Sequence, residues 1–256
     1  MLARFKNVLS LTGQTPTDSF FINLAKLVFL VIRVFTIHTN IGRYLLKDSI
    51  AKTSYGYFYC RKRSGDLGMI SESFEADVMK VFKPKEGDAV IDVGANVGKY
   101  TVLASKLVGK RGKVLAVEPE IGAFKILQKN IELNGLKNVI PLEYAAWNRN
   151  QRLRFFYHDS SSSSAKVRSK NSYLVDAKRL DTIMKESNLQ HVDWMKIDVE
   201  GADLEVLQGA DLKNVRNVVL EFSKENESEL IRIFKRNSFS IKNLSSTYML
   251  ARKIPR

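Results

Sequence analysis

Five carboxylates in this chain sit in or just beyond apolar runs. Asp92 follows Ala89-Val90-Ile91, Glu118 follows Val114-Leu115-Ala116-Val117, and Asp198 follows Met195-Lys196-Ile197 with Glu200 two residues on. Glu221 follows Val218-Val219-Leu220. Short apolar runs with polar ends read as buried strands. Ligands of open parallel sheets bind in the crevice beyond the carboxyl ends of the strands, so these acids are positioned to meet one. After Asp92 comes Gly94-x-Asn96-x-Gly98, then a helical pattern. Glycine supplies a positive φ or lets a ligand approach the backbone, Asn tolerates the left-handed region, and the amides of the next helix are free to donate. The turn is one residue tighter than the dinucleotide fingerprint, and an acid just before it suits a cation better than a pyrophosphate.

A ligand carrying an ammonium, a sulfonium and a carboxylate fits an acid beside exposed amides, and S-adenosylmethionine is such a ligand. The stretch from Asp92 to Thr101, DVGANVGKYT, resembles the first motif of class I S-adenosylmethionine-dependent methyltransferases, and of the FkbM-type family in particular. Lys196-Ile197-Asp198, Glu200-Gly201 and Val206-Leu207-Gln208-Gly209 are similar to that family's second block, with Arg179-Leu180-Asp181 upstream and Val219-Leu220-Glu221-Phe222 downstream. The resemblance covers residues 71–223. It implies an α/β, Rossmann-like class I methyltransferase fold: a seven-stranded, mostly parallel sheet with helices on both faces and a final antiparallel hairpin strand. It also implies a cofactor site at Asp92, Gly94, Ala95, Asn96, Gly98, Thr101 and Asp198. A carboxylate at the end of the second strand can take both ribose hydroxyls, which assigns that task to Glu118, beside Pro119. Ala145 and Ala146, small residues at the end of the third strand, would let adenine lie flat, and Trp147 could stack there.

Methyl transfer from a sulfonium is an in-line displacement that needs the nucleophile about 3 Å from the methyl carbon, with water excluded. A hydroxyl acceptor also needs a base. Asp198 and Glu200 lead as candidates, followed by Glu221. Glu200 has a plainer reading as a carboxylate favoured at a helix N-terminus. A pair of the acids could instead hold a divalent cation, which the sequence allows without requiring. His38, His158 and His191 form no metal-ligand spacing. No Asn- or Asp-Pro-Pro-aromatic stretch follows the fourth strand, which favours an oxygen acceptor over a nucleobase amine. The resemblance thus implies O-methylation of a sugar, glycan, lipid-linked saccharide or small natural product. RNA or a protein side chain is the alternative acceptor, and a non-catalytic scaffold the third reading.

Composition bounds the frame that must position these groups. At 256 residues the chain suits one α/β domain with an attachment. Cys60 is the single cysteine, which excludes an intramolecular disulfide and a cysteine-rich metal site and points to a reducing, cytoplasmic setting. A net charge of +14 favours polyanionic partners such as nucleic acid, anionic lipid or an acidic glycan. Residues 1–70 read as an amphipathic helical extension and 71–256 as the methyltransferase domain. Within 20–38, Asn23, Lys26, Arg33 and Thr36, with Asn40 beyond, recur along one helical face. Two cations argue against a spanning helix. The segment reads either as a basic helix on an anionic membrane surface or as one packed on the catalytic domain or another subunit. Residues 41–70 interleave aromatics and cations and suit a short hairpin. Strands are expected over 113–117, 139–144, 152–157 and 173–180. Asp181 is expected to cap a helix from Thr182, and Ser160–Ser164 to form a polar lid or connector.

Overall fold

The computed structural model describes residues 11–33, 45–71, 76–157, 163–164 and 171–255. Strand β1 (Thr12–Gly13), helix α1 (Pro16–Arg33), strands β2 (Ser49–Lys52) and β3 (Tyr57–Cys60) and short helices α2 (Asp66–Met69) and α3 (Ala76–Val81) come first. Next alternate β4 (Ala89–Val93), α4 (Lys99–Val108), β5 (Lys113–Val117), α5 (Ile121–Leu133) and β6 (Val139–Leu142). A side sheet follows from β7 (Ala145–Ala146), β8 (Gln151–Tyr157), β9 (Ser163–Ser164) and β10 (Asn171–Lys178). Then come α6 (Leu180–Glu186), β11 (Val192–Ile197), α7 (Asp203–Gln208), β12 (Val215–Glu221), α8 (Glu227–Arg236), β13 (Phe239–Asn243) and β14 (Tyr248–Lys253).

The main sheet has seven strands in the order β13-β14-β12-β11-β4-β5-β6. Strand β14 runs antiparallel to both of its neighbours, and the pairings among β12, β11, β4, β5 and β6 are parallel. This is the class I methyltransferase fold. The central strand runs are mostly apolar because both faces of the sheet are covered. Val90, Val114, Ala116, Trp194 and Val219 pack with α3, α4 and α5, while Ile91, Leu115, Met195, Ile197 and Leu220 pack with α6, α7 and α8. The chain builds outward from β4 to β6, then returns to lay β11 on the other side of β4. That reversal opens a crevice beyond the strand ends at β4 and β11.

A third core joins the first segment to the domain: Ile22 and Ala25 of α1 and Phe58 and Cys60 of β3 pack with Val97, Val102 and Ile126. Strand β3 docks on helix α5 through two side-chain amides. Asn130 Oδ1 accepts from Tyr59 N at 2.7 Å while its Nδ2 donates to Val97 O at 2.8 Å. Asn134 accepts from Tyr57 N at 2.9 Å and donates to Tyr57 O at 2.6 Å.

Several details depart from the sequence reading. Lys26, one of the polar residues that recur along one face of α1, is buried. Its Nζ donates to the carbonyl of Leu11 and to Asn23 Oδ1, burial lowers its pKa, and Phe20 and Leu27 point outward instead. Arg33 ends α1, and residues 34–44, with His38, lie outside the described residues. Among the described residues no helix is long and apolar enough to cross a membrane. Asp181 does not cap its helix: α6 starts at Leu180, and the Asp181 carboxylate is taken by the Arg179 guanidinium, which holds its pKa down. Ala145–Ala146 is a separate short strand paired with Ala177–Lys178 of β10, since β6 ends at Leu142. Of the serine run, Ser163 and Ser164 pair with β8, and 158–162, with His158, lie outside the described residues.

Candidate active site

The turn after β4 is shaped by backbone proximity. Gly94 has φ +76°, and a Cβ there would stand 1.8 Å from the carbonyl oxygen of Asp198. Only glycine lets the β4 turn pass so close to the end of β11. Asn96 follows at φ +50°, and Gly98 at φ +94° delays the start of α4 to Lys99. Across the crevice, Glu200 and Gly201 are both left-handed, at φ +46° and +85°. A glutamate in that conformation is strained, and such strain gathers where side-chain direction matters.

These turns border a cleft that is open to solvent. Gly94, Ala95, Asn96, Glu118 and Pro119 line one wall, Ala145 and Ala146 another, and Asp198, Glu200 and Glu221 the far end. Asp92, Gly98 and Thr101 are not among the lining residues. Asp92 is buried behind the wall, where its Oδ2 accepts from Thr101 Oγ1 at 2.7 Å, so this pair braces the start of α4. Gly98 makes room for Leu127 Cδ1, which a Cβ would meet at 2.8 Å.

Glu118 is buried, with Oε2 accepting from Asn96 N at 2.7 Å and Oε1 from Glu120 N at 2.8 Å. Two amides aim the carboxylate and leave it further lone pairs for a ligand diol. Burial pushes its pKa up to about 7 against the pull of those amides, and nearby Glu120 and Asp92 push the same way. Glu120 caps α5 by accepting from the amides of Gly122 and Ala123.

At the far end a lysine joins the acids. Lys196 Nζ lies 2.9 Å from Asp198 Oδ2 and 4.6 Å from the centre of the Tyr100 ring, with the lysine side chain only 4% exposed. Glu221 lies against Asp198, and burial together with that neighbouring carboxylate raises its pKa. The Lys196 amine beside Asp198 Oδ2 sets a basic side chain against this pair of acids. The sequence reading gave Lys196 no role, although a lone lysine inside the buried run of β11 was a visible signal. Tyr100, Trp147, Phe155, Tyr248 and Met69 of α2 also reach the cleft. Among the described residues no group of three or more His, Cys, Asp or Glu side chains is gathered to hold a metal ion.

This cleft suits S-adenosylmethionine: Glu118 offers diol acceptors, Ala145 and Ala146 a flat wall, and the Gly94 turn close backbone approach. Residues 92–241 match the model of the methyltransferase FkbM domain. The chain belongs to the FkbM methyltransferase family. It is 30% identical over 169 residues to methyltransferase sdnD of Sordaria araneosa, covering 52% of this chain and 65% of that one. It is 28% identical over 152 residues to the hexuronic acid methyltransferase AglP of Haloferax volcanii, covering 57% and 62%. The chain thus spans somewhat under two thirds of the length of the curated relatives it matches. A solved FkbM methyltransferase from Methylobacillus flagellatus superposes with a TM-score of 0.49 at 13% identity, covering 98% of this chain and 58% of that one.

Proposed function

We propose that this FkbM protein is an S-adenosylmethionine-dependent O-methyltransferase whose acceptor is a hydroxyl of a sugar, glycan, lipid-linked saccharide or small natural product. The observation that carries the reading is the Lys196–Asp198–Glu221 cluster at the end of a cleft whose other end presents Glu118. When bound, S-adenosylmethionine supplies an electrophilic methyl on a sulfonium centre. Glu118 takes the ribose diol, with Pro119 beside it. The Gly94-Ala95-Asn96 turn passes the methionyl part toward Asp198, and Ala145 and Ala146 back the adenine. At the far end Asp198 accepts the proton of the acceptor hydroxyl as attack proceeds. Lys196 holds that carboxylate in place, with Glu221 beside it. Glu200, fixed in its left-handed turn, orients the acceptor.

A saccharide acceptor is supported by the named activity of AglP toward a hexuronic acid. The +14 charge supports RNA as the second reading, in which binding falls steeply with salt. A cytoplasmic setting fits the single buried cysteine, and the outward Phe20 and Leu27 of α1 suit contact with an anionic membrane. The test is titration of the protein with S-adenosylhomocysteine, followed by transfer of isotopically labelled methyl to uronic-acid-containing saccharides, neutral saccharides and RNA. Label in a saccharide, lost in Asp198→Asn, supports the proposal. Absence of cofactor binding ends it, and label only in RNA moves it to the second reading.

A further inference from the structure

The side sheet meets the cleft twice, and one meeting point touches the loop that aims Glu118. Tyr173 of β10 reaches across to the strand-to-helix loop after β5. Its hydroxyl accepts from Ile121 N at 3.1 Å and donates to Pro119 O at 3.4 Å. Those groups flank Glu120, whose amide donates to Glu118 Oε1 at 2.8 Å. One phenol therefore clamps the backbone on both sides of the amide that orients the ribose-binding carboxylate. The Tyr173 ring lies 6.0 Å from that of Phe155, its register partner on β8, and Phe155 lines the cleft. The other meeting point is β7, where Ala145 and Ala146, also cleft residues, pair with the end of β10. Strand β10 thus touches the crevice at the ribose loop and at the adenine wall, while β8 and β9 carry the segment around residues 158–162.

We propose that Tyr173 is a positioning residue that couples the side sheet to the Glu118 grip on S-adenosylmethionine, so that occupancy of the cofactor cleft orders β8 and β10. The inference rests on the methyltransferase reading. Phe in place of Tyr173 keeps the ring packing against Phe155 and removes only the two hydrogen bonds to the loop. With the clamp gone, the Glu120 amide and the carboxylate it orients are set less tightly.

The experiment uses S-adenosylhomocysteine as the probe. Calorimetry should show Tyr173→Phe binding it about five- to tenfold more weakly than the parent, the size expected for one or two lost hydrogen bonds. Leu174→Ala, an exposed neighbour on the same strand, should bind like the parent. Hydrogen–deuterium exchange reads the coupling itself. In the parent, adding the probe should slow exchange in 151–157 and 171–178 as well as at the crevice. In Tyr173→Phe at a saturating probe concentration, protection should persist at the crevice and vanish from the two strands. A merely structural tyrosine would speed exchange in those strands whether or not the probe is bound. A parent that binds the probe while leaving β8 and β10 unchanged overturns the inference, as does a Tyr173→Phe variant with parental affinity and parental protection. A parent that binds no probe overturns the functional reading itself.

Discussion

If Glu118 grips the ribose as proposed, cofactor binding should depend on pH, in a direction set by the burial of that carboxyl. Burial raises its pKa from an ordinary 4.5 to about 7, because the charged form loses more hydration than two amide donors return. The ribose diol would donate to the carboxylate and stabilise the charged form, so binding must expel whatever proton Glu118 still holds. If the bound carboxylate titrates well below about pH 6, the apparent Kd for S-adenosylhomocysteine falls about tenfold between about pH 6 and about pH 8, since a group of pKa about 7 is about one-eleventh ionised at the lower limit. Near pH 7, calorimetry in buffers of different ionisation enthalpy should register release of about half a proton. Glu118→Gln, which cannot ionise, should bind more weakly with a flat profile. The same shift acts on stability. The folded protein keeps the Glu118 proton longer than the unfolded chain, so this group's relative stabilisation is complete below about pH 4.5 and lost as pH rises through about 7, amounting to about 3 kcal/mol. A parent whose affinity stays within about twofold across that window would refute the reasoning, because such a carboxylate would not be the group the ligand engages.

Other substitutions test the remaining geometry. Gly94→Ala combines a left-handed alanine with a Cβ driven into the Asp198 carbonyl. It should cost about 3 kcal/mol, lower Tm by about 6–12 °C and abolish S-adenosylhomocysteine binding by calorimetry. Glu200→Gly should do the reverse to stability, raising Tm by about 2–4 °C through relief of the φ +46° strain, while methyl transfer falls at least about tenfold. Unchanged turnover would remove Glu200 from the acceptor site. Lys196→Met leaves Asp198 without its buried cation. It should destabilise by about 3 kcal/mol in thermal unfolding and reduce kcat by about 100-fold or more, with S-adenosylhomocysteine affinity kept within about threefold.

The crevice was legible in the sequence wherever its geometry is made by neighbours in the chain. The β4 turn could be read because positive φ and close approach select glycine locally, and Glu118 because it ends its own strand. Ala145 and Ala146 were found as small residues, but their strand belongs to the side sheet, since its partner lies more than thirty residues downstream in β10. Asp92 illustrates what local reading misses. A strand-end acid can face the ligand or the helix behind it, and the contact with Thr101 on α4 decides that. Lys196 was overlooked because a motif lysine gives no sign of its burial until Tyr100 and Asp198 stand around it. The burial of Lys26 was not legible because the Leu11 carbonyl that receives it is adjacent only in space. The Tyr173 clamp crosses from one sheet to another loop, and no spacing along the chain announces it.

The docking of β3 on helix α5 has a consequence for biosynthesis. Asn130 and Asn134, which receive the backbone of Tyr59 and Tyr57, lie 71 and 77 residues further along the chain. At translation speeds of about 5–20 residues per second, the hairpin would leave the ribosome about 4–15 s before its berth exists. Phe58 and Cys60, wholly buried once docking is complete, must spend that interval without the cover that helix α5 provides. A ribosome pause before Asn130 would lengthen that exposure.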